Sequence, residues 1–175
     1  MKHYRIMAMA LGLALSGAAI AANTELVRPE TLVVDKSLTT SQREAMENVA
    51  RRYDTFWHTG DETLAREALA EHFIDKTPPP GRKQGPEGPL LASRAFRGAA
   101  PDLSCAIEQM IIAGDRVVVH LHFRGHFTGT FGEVKGKGQP VDFIATDIYQ
   151  IEDGKIAANW HIEDNLTVMQ QLGAL

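Results

Sequence analysis

Two side chains in the C-terminal third have types and spacing suited to proton transfer: Asp147 and His161. Asp147 lies in a run whose period-two alternation puts Phe143, Ala145, Asp147 and Tyr149 on one face of a strand. A bare carboxylate among such neighbours is costly unless a partner meets it. The pair Asp153-Gly154 marks a tight hairpin between this run and the next. If that turn sets the register, facing residues have numbers summing to about 307 or 308, as two-residue hairpin loops require. Asp147 then opposes His161 or Trp160, and His161 is the natural partner, sharing its face with Ala157 and Asn159. A carboxylate beside an imidazole fixes its tautomer and favours its charged form. In a water-poor pocket that is a tunable general acid/base, with Asn159 placed to hydrogen-bond a developing enolate. The same residues also fit a buried pair that satisfies itself and stitches two strands together. The sequence leaves both readings open.

Other reactive side chains carry weaker chemistry. His120, His122 and His126 share one face of a strand, a spacing that can hold zinc. Arg124 stands among them, and Val117, Val119, Leu121, Phe123 and Phe127 form the opposite, apolar face. The histidine face is therefore expected on the wet side of the sheet, without metal. Cys105 is the single cysteine, so it forms no internal disulfide, and no charged activator adjoins it. His72 is expected to stabilise the C-terminal end of a second helix. Asp75 either caps the proline-rich loop that follows or lines a pocket mouth. No glycine-rich phosphate loop or nucleophile elbow occurs.

The elements that must position these groups are legible in outline. Ser41 and Glu44 form a capping-box pattern. Ala45, Val49, Tyr53, Phe56 and Trp57 then recur at helical spacing, as far as a stop at Gly60. Asp61 opens a second helix carrying Leu64, Ala68 and Phe73, and Thr77–Gly81 holds three consecutive prolines, which form a rigid loop. A third helix is expected from Pro86 to Arg97. Strand grammar follows over 103–113, 115–127, 141–151 and 155–162, with a long loop from Thr128 to Pro140. Asp164 is placed to cap a last helix over 165–172. Helices first and an antiparallel meander afterwards give an α+β fold, helices packed on a curved, mainly antiparallel sheet that closes a blind apolar cavity. Tyr53, Trp57, Phe127 and Tyr149 are the aromatic candidates for its wall.

From Arg51 to Leu172 the chain resembles the SnoaL-like polyketide (ester) cyclases of the nuclear-transport-factor-like cone-shaped α+β superfamily. The resemblance rests on Tyr53-Asp-Thr-Phe-Trp57, Phe73-Ile-Asp-Lys-Thr-Pro-Pro-Pro-Gly81, Pro101-Asp-Leu-Ser104, Ala113-Gly-Asp-Arg-Val-Val-Val119, Asp147-Ile-Tyr-Gln-Ile-Glu-Asp-Gly-Lys-Ile156 and Trp160. It implies a cone with a mixed sheet. It also implies an aldol-type ring closure by one acid/base residue on a hydrophobic carbonyl compound, without cofactor or metal. The family's acid/base is an aspartate near the position of His161, and a neighbouring strand offers a histidine where this chain has Asp147. The two residue types look exchanged, and the family's loop histidine is replaced by Lys76. A non-catalytic binder of a hydrophobic small molecule is the alternative that the same cavity would serve.

The 175 residues suit one domain, with 44% hydrophobic and 23% charged residues. A net charge of −4 offers no basic excess for nucleic acid. Lys2 and Arg5 precede an uncharged apolar run, Ile6–Ile20, and Ala19-Ile-Ala21 fits a signal-peptidase site. That run is shorter than the ~20 residues of a membrane span. The expected organisation is a signal peptide over 1–21, an extended leader over 22–40 and a cone domain over 41–175. The mature protein is then periplasmic or secreted, free of the membrane after cleavage, with a homodimer through the sheet as the expected assembly.

Overall fold

A computed structural model describes residues 25–175. The expected signal peptide, residues 1–21, lies outside the described residues. Six strands form one sheet in the order β1-β3-β4-β7-β8-β2. They are β1 (Pro29–Val34), β2 (Leu69–Asp75), β3 (Ser104–Ala113), β4 (Arg116–Phe127), β7 (Gln139–Glu152) and β8 (Lys155–Glu163). The β3–β4, β4–β7 and β7–β8 pairs are antiparallel, whereas β1 runs parallel to β3 and β2 parallel to β8. The sheet is mixed and mainly antiparallel, as expected of an α+β cone.

Helix α1 (Thr40–Thr59) lies across the concave face and buries Met46, Val49, Ala50, Tyr53 and Phe56 at spacings of three and four. Its capping box uses Thr39 and Gln42, not Ser41 and Glu44: the Thr39 hydroxyl accepts from the Gln42 N–H, and the Gln42 side chain answers the Thr39 N–H. Gly60 ends the helix in the left-handed region, φ 79°. Asp61 caps α2 (Glu62–Ala68). The chain then leaves the helix earlier than its spacing predicts, because residues 69–75 pair with β8 and become β2. Phe73 is therefore a strand residue. His72 does not sit at a helix terminus; it is exposed on an edge strand, 3.4 Å from Glu152.

The segment read as a leader is a working edge. Residues 29–34 form β1, and Arg51 of α1 donates to the carbonyls of Leu26 (3.0 Å) and Val27 (2.8 Å). Within the expected loop 128–140, β5 (Thr130–Phe131) and β6 (Val134–Lys135) form a small hairpin. Helices α3 (Glu87–Ala99) and α4 (Asn165–Leu172) complete the walls, α4 capped by Asp164 as expected. The β5–β6 hairpin is pinned where Gly129 crosses α3: its N–H donates to the Ala99 carbonyl (2.8 Å), and a Cβ there would overlap the Gly98 carbonyl oxygen. Gly129→Ala is expected to cost about 1–3 kcal/mol, as overpacking against backbone does, read as a lower urea midpoint with an unchanged m-value.

On the convex face the three strand histidines do not converge. His120 Nδ1 meets the Thr146 hydroxyl (2.8 Å), His122 sits between Glu108 (2.7 Å) and Asp142 (2.5 Å), and His126 meets Asp102 (2.7 Å). The Asp142 hydrogen bond holds His122 above the usual imidazole value. Among the described residues, no group of three or more His, Cys, Asp or Glu side chains gathers as a metal ion requires, and no helix is long and apolar enough to cross a membrane.

Candidate active site

The turn that positions the site is Asp153-Gly154, with φ 48° and 73°. Two left-handed residues are what a two-residue hairpin needs to match strand twist. A register shift between Gln150 and Ile151 follows, and Asp147 then faces His161 and Tyr149 faces Asn159. On β8, Asn159, His161 and Glu163 alternate onto the concave face. There they line a cavity of about 710 Å³ enclosed by the sheet, α1, α3, α4 and the proline loop.

The cavity has an aromatic body and one polar end. Phe123 and Phe143, cross-strand neighbours on β4 and β7, stack at 5.0 Å and 10°, with Trp57 edge-on to Phe123 and Phe96 against Phe143. Such walls favour a flat apolar ligand. At the polar end, Asp147 is 3% exposed. Its Oδ1 accepts from Asn159 Nδ2 (2.5 Å) and meets His161 Nδ1 (3.0 Å). The other imidazole nitrogen, Nε2, faces Glu163 Oε2 at 3.6 Å. Burial pulls the His161 pKa down, but the charge and hydrogen bond of Asp147, reinforced by Glu163, outweigh it and push it up to about 10. Near neutral pH the ring is an imidazolium held between two carboxylates.

The proline loop is fastened to this histidine. The Thr77 hydroxyl donates to the His161 carbonyl (2.9 Å) and accepts from the His161 N–H (2.8 Å). Asp75 takes both roles left open for it: it accepts from the Thr77 N–H (3.0 Å), and it lines the mouth with Arg82 3.6 Å away.

Of the sequence-predicted wall residues, Tyr53, Trp57 and Asn159 line the cavity. Tyr149 and Phe127 do not. Both are fully buried: Tyr149 turns its hydroxyl to Asp54 Oδ1 (2.7 Å), and Phe127 lies against the backbone of Gly136, just after β6. Three groups escaped the sequence reading: Glu163, Arg82 and the buried Asp54. Glu163 has a signal, since it shares parity with Asn159 and His161, but it lies one residue beyond the strand that the sequence predicts over 155–162. Cys105 is buried, and burial pushes its thiol well up, which suits packing and not nucleophilic attack.

A family model for SnoaL-like polyketide cyclase matches residues 47–172. This chain belongs to the SnoaL-like polyketide cyclase family. Among solved structures, it is similar to a candidate polyketide cyclase from Bacillus cereus ATCC 10987, with 38% identity, TM-score 0.79, and coverage of 87% of this chain and 96% of that one. It is also similar to TsrD from Streptomyces laurentii, with 27% identity, TM-score 0.68, and coverage of 76% and 98%. A third relative is IdmH, a candidate polyketide cyclase from Streptomyces antibioticus, with 26% identity, TM-score 0.64, and coverage of 71% and 96%. Among curated proteins, none matches. In this SnoaL-like chain a histidine on β8 and a carboxyl group on β7 meet at the polar end of the cavity.

Proposed function

We propose that this SnoaL-like protein enolises a small hydrophobic carbonyl compound and closes a ring by an aldol step, with the His161/Asp147 pair as its acid/base machinery. The observation that carries this reading is the 3.0 Å contact between His161 Nδ1 and Asp147 at the end of an aromatic cavity. Asp147, fixed by Asn159, holds Nδ1. His161 enters the cycle protonated and presents its remaining N–H to the carbonyl oxygen as negative charge develops there. Export of the mature chain belongs to the same proposal and is supported by Lys2, Arg5 and the apolar run after them. A second copy of the chain is the partner proposed for the convex face, where Val33, Ile111, Val118, Ile148 and Trp160 align across five strands.

The experiment uses 2-tetralone, a flat ketone with acidic α-protons, and follows deuterium uptake at its α-carbon in D2O by proton NMR. The full protein is expected to accelerate exchange. His161→Gln is expected to lose about 100-fold or more of that acceleration, the usual weight of a positioned acid/base, while still binding the ketone. Binding by all variants with exchange no faster than buffer would replace the enzyme with a binder of hydrophobic metabolites.

A further inference from the structure

We propose that Glu163 is the catalytic base of this site, the group that takes the α-proton while His161 stabilises the oxygen. The inference rests on the enolising reading above and supplies the residue that reading lacks. His161 cannot be that base in its resting form, because both ring nitrogens are turned to carboxylates and neither offers a lone pair to a substrate. Asp147 is poorly placed: it is 3% exposed on the cavity floor, and the Oδ1 that faces its neighbours is shared between Asn159 and His161. Glu163 differs on each count. It sits two residues beyond His161 on the same strand face, lines the cavity, and keeps 19% of its side chain open. Across the hairpin its register partner is Ala145, a side chain with no polar group to occupy the carboxylate. Among the described residues, its side chain's ion pairing runs to His161 alone, and at 3.6 Å that contact is longer than a hydrogen bond. The carboxylate is therefore next to the group that binds the oxygen, without its acceptor capacity being spent.

The step balances within the substrate and two side chains. A Glu163 oxygen takes the α-proton, the C–H electron pair becomes the enol double bond, and the carbonyl π pair moves to oxygen, which accepts the His161 Nε2 proton. In ring closure the enol carbon then bonds to a second carbonyl carbon. The first oxygen returns its proton to His161, and the new alkoxide takes the proton that Glu163 holds. No redox partner enters.

The test repeats the 2-tetralone exchange on the full chain with E163Q, E163D and H161Q, alongside NMR titration of the His161 imidazole. E163Q is expected to lose about 100-fold or more of the acceleration, with ketone affinity within three-fold of wild type. E163D, which keeps a carboxylate on a shorter stem, is expected to recover part of it and serves if E163Q fails to fold. Exchange by E163Q within three-fold of wild type, while H161Q loses it, would overturn the base assignment and leave the enolising reading standing. A wild-type protein that binds the ketone without exchanging it would overturn both.

Discussion

Asp147→Ala is expected to lower the unfolding free energy by about 3–5 kcal/mol at pH 6, the usual consequence of removing one partner of a buried ion pair. The loss should shrink steadily as pH rises and largely vanish above the His161 pKa of about 10. The direction follows from linkage. A histidine whose pKa is raised by folding contributes stability that is complete below its unfolded value of about 6.5 and disappears as pH climbs through the folded value. In wild type that window runs from about 6.5 to 10. Without Asp147 the main source of the rise is gone, and the imidazole titrates nearer its ordinary range. Urea unfolding of both proteins from pH 6 to 10.5 gives the difference curve. Subtraction matters, because Cys105, Tyr53 and Tyr149, all pushed up by burial, also make stability fall in alkali. A difference that stays constant across that range would mean that the imidazolium does not depend on Asp147. His161→Gln provides the converse, a protein whose own curve lacks the same sloping component.

The positions that define this pair were legible because their signals are local. Period-two alternation assigns the faces of β7 and β8, and Asp153-Gly154 narrows the residue opposite Asp147 to His161 or Trp160, of which the imidazole is the partner a carboxylate needs and the one that faces it. Strand β2 was not legible for the opposite reason. Leu64 and Ala68 share a helical face, and no local stop ends the helix before a parallel partner more than eighty residues away claims residues 69–75, so tertiary pairing overrides propensity. Strand β1 gave no alternation to read, since four of its six residues are exposed. Parity also reports a face and not a depth: Tyr149 shares the concave face with Asp147, yet it lies below the cavity floor. Asp54 was missed within a motif read for its aromatics, although its place one helical turn after the fully buried Ala50 predicts a buried carboxyl.

That buried carboxyl shapes the second large effect. Asp54 is fully buried beneath the site, and only its Oδ1 has a partner, the Tyr149 hydroxyl at 2.7 Å. Burial pushes its pKa well above the usual carboxylate value, the Tyr149 hydrogen bond opposes that rise, and the charge of Asp147 adds to it. Tyr149→Phe removes the one group that solvates this acid, and it should lose about 1–3 kcal/mol at pH 7, the penalty of a buried polar group left unpaired. Asp54→Leu introduced into that variant should restore most of the loss, because replacing both partners with apolar groups of similar shape is nearly neutral. Urea midpoints of the two single variants and the double variant form the cycle. Losses that simply add would show that the hydroxyl and the carboxyl do not act on each other. Recovery would show that the pair contributes little net stability, which leaves geometry as its contribution: Tyr53, a wall of the cavity, packs edge-on against Tyr149 at 5.6 Å and 79°. The double variant would then be as stable as wild type while the ring at position 149, stripped of the hydroxyl that tied it to Asp54, is free to shift beneath Tyr53. Its affinity for 2-tetralone should fall even though its urea midpoint does not, separating the alignment of the cavity wall from the stability of the fold.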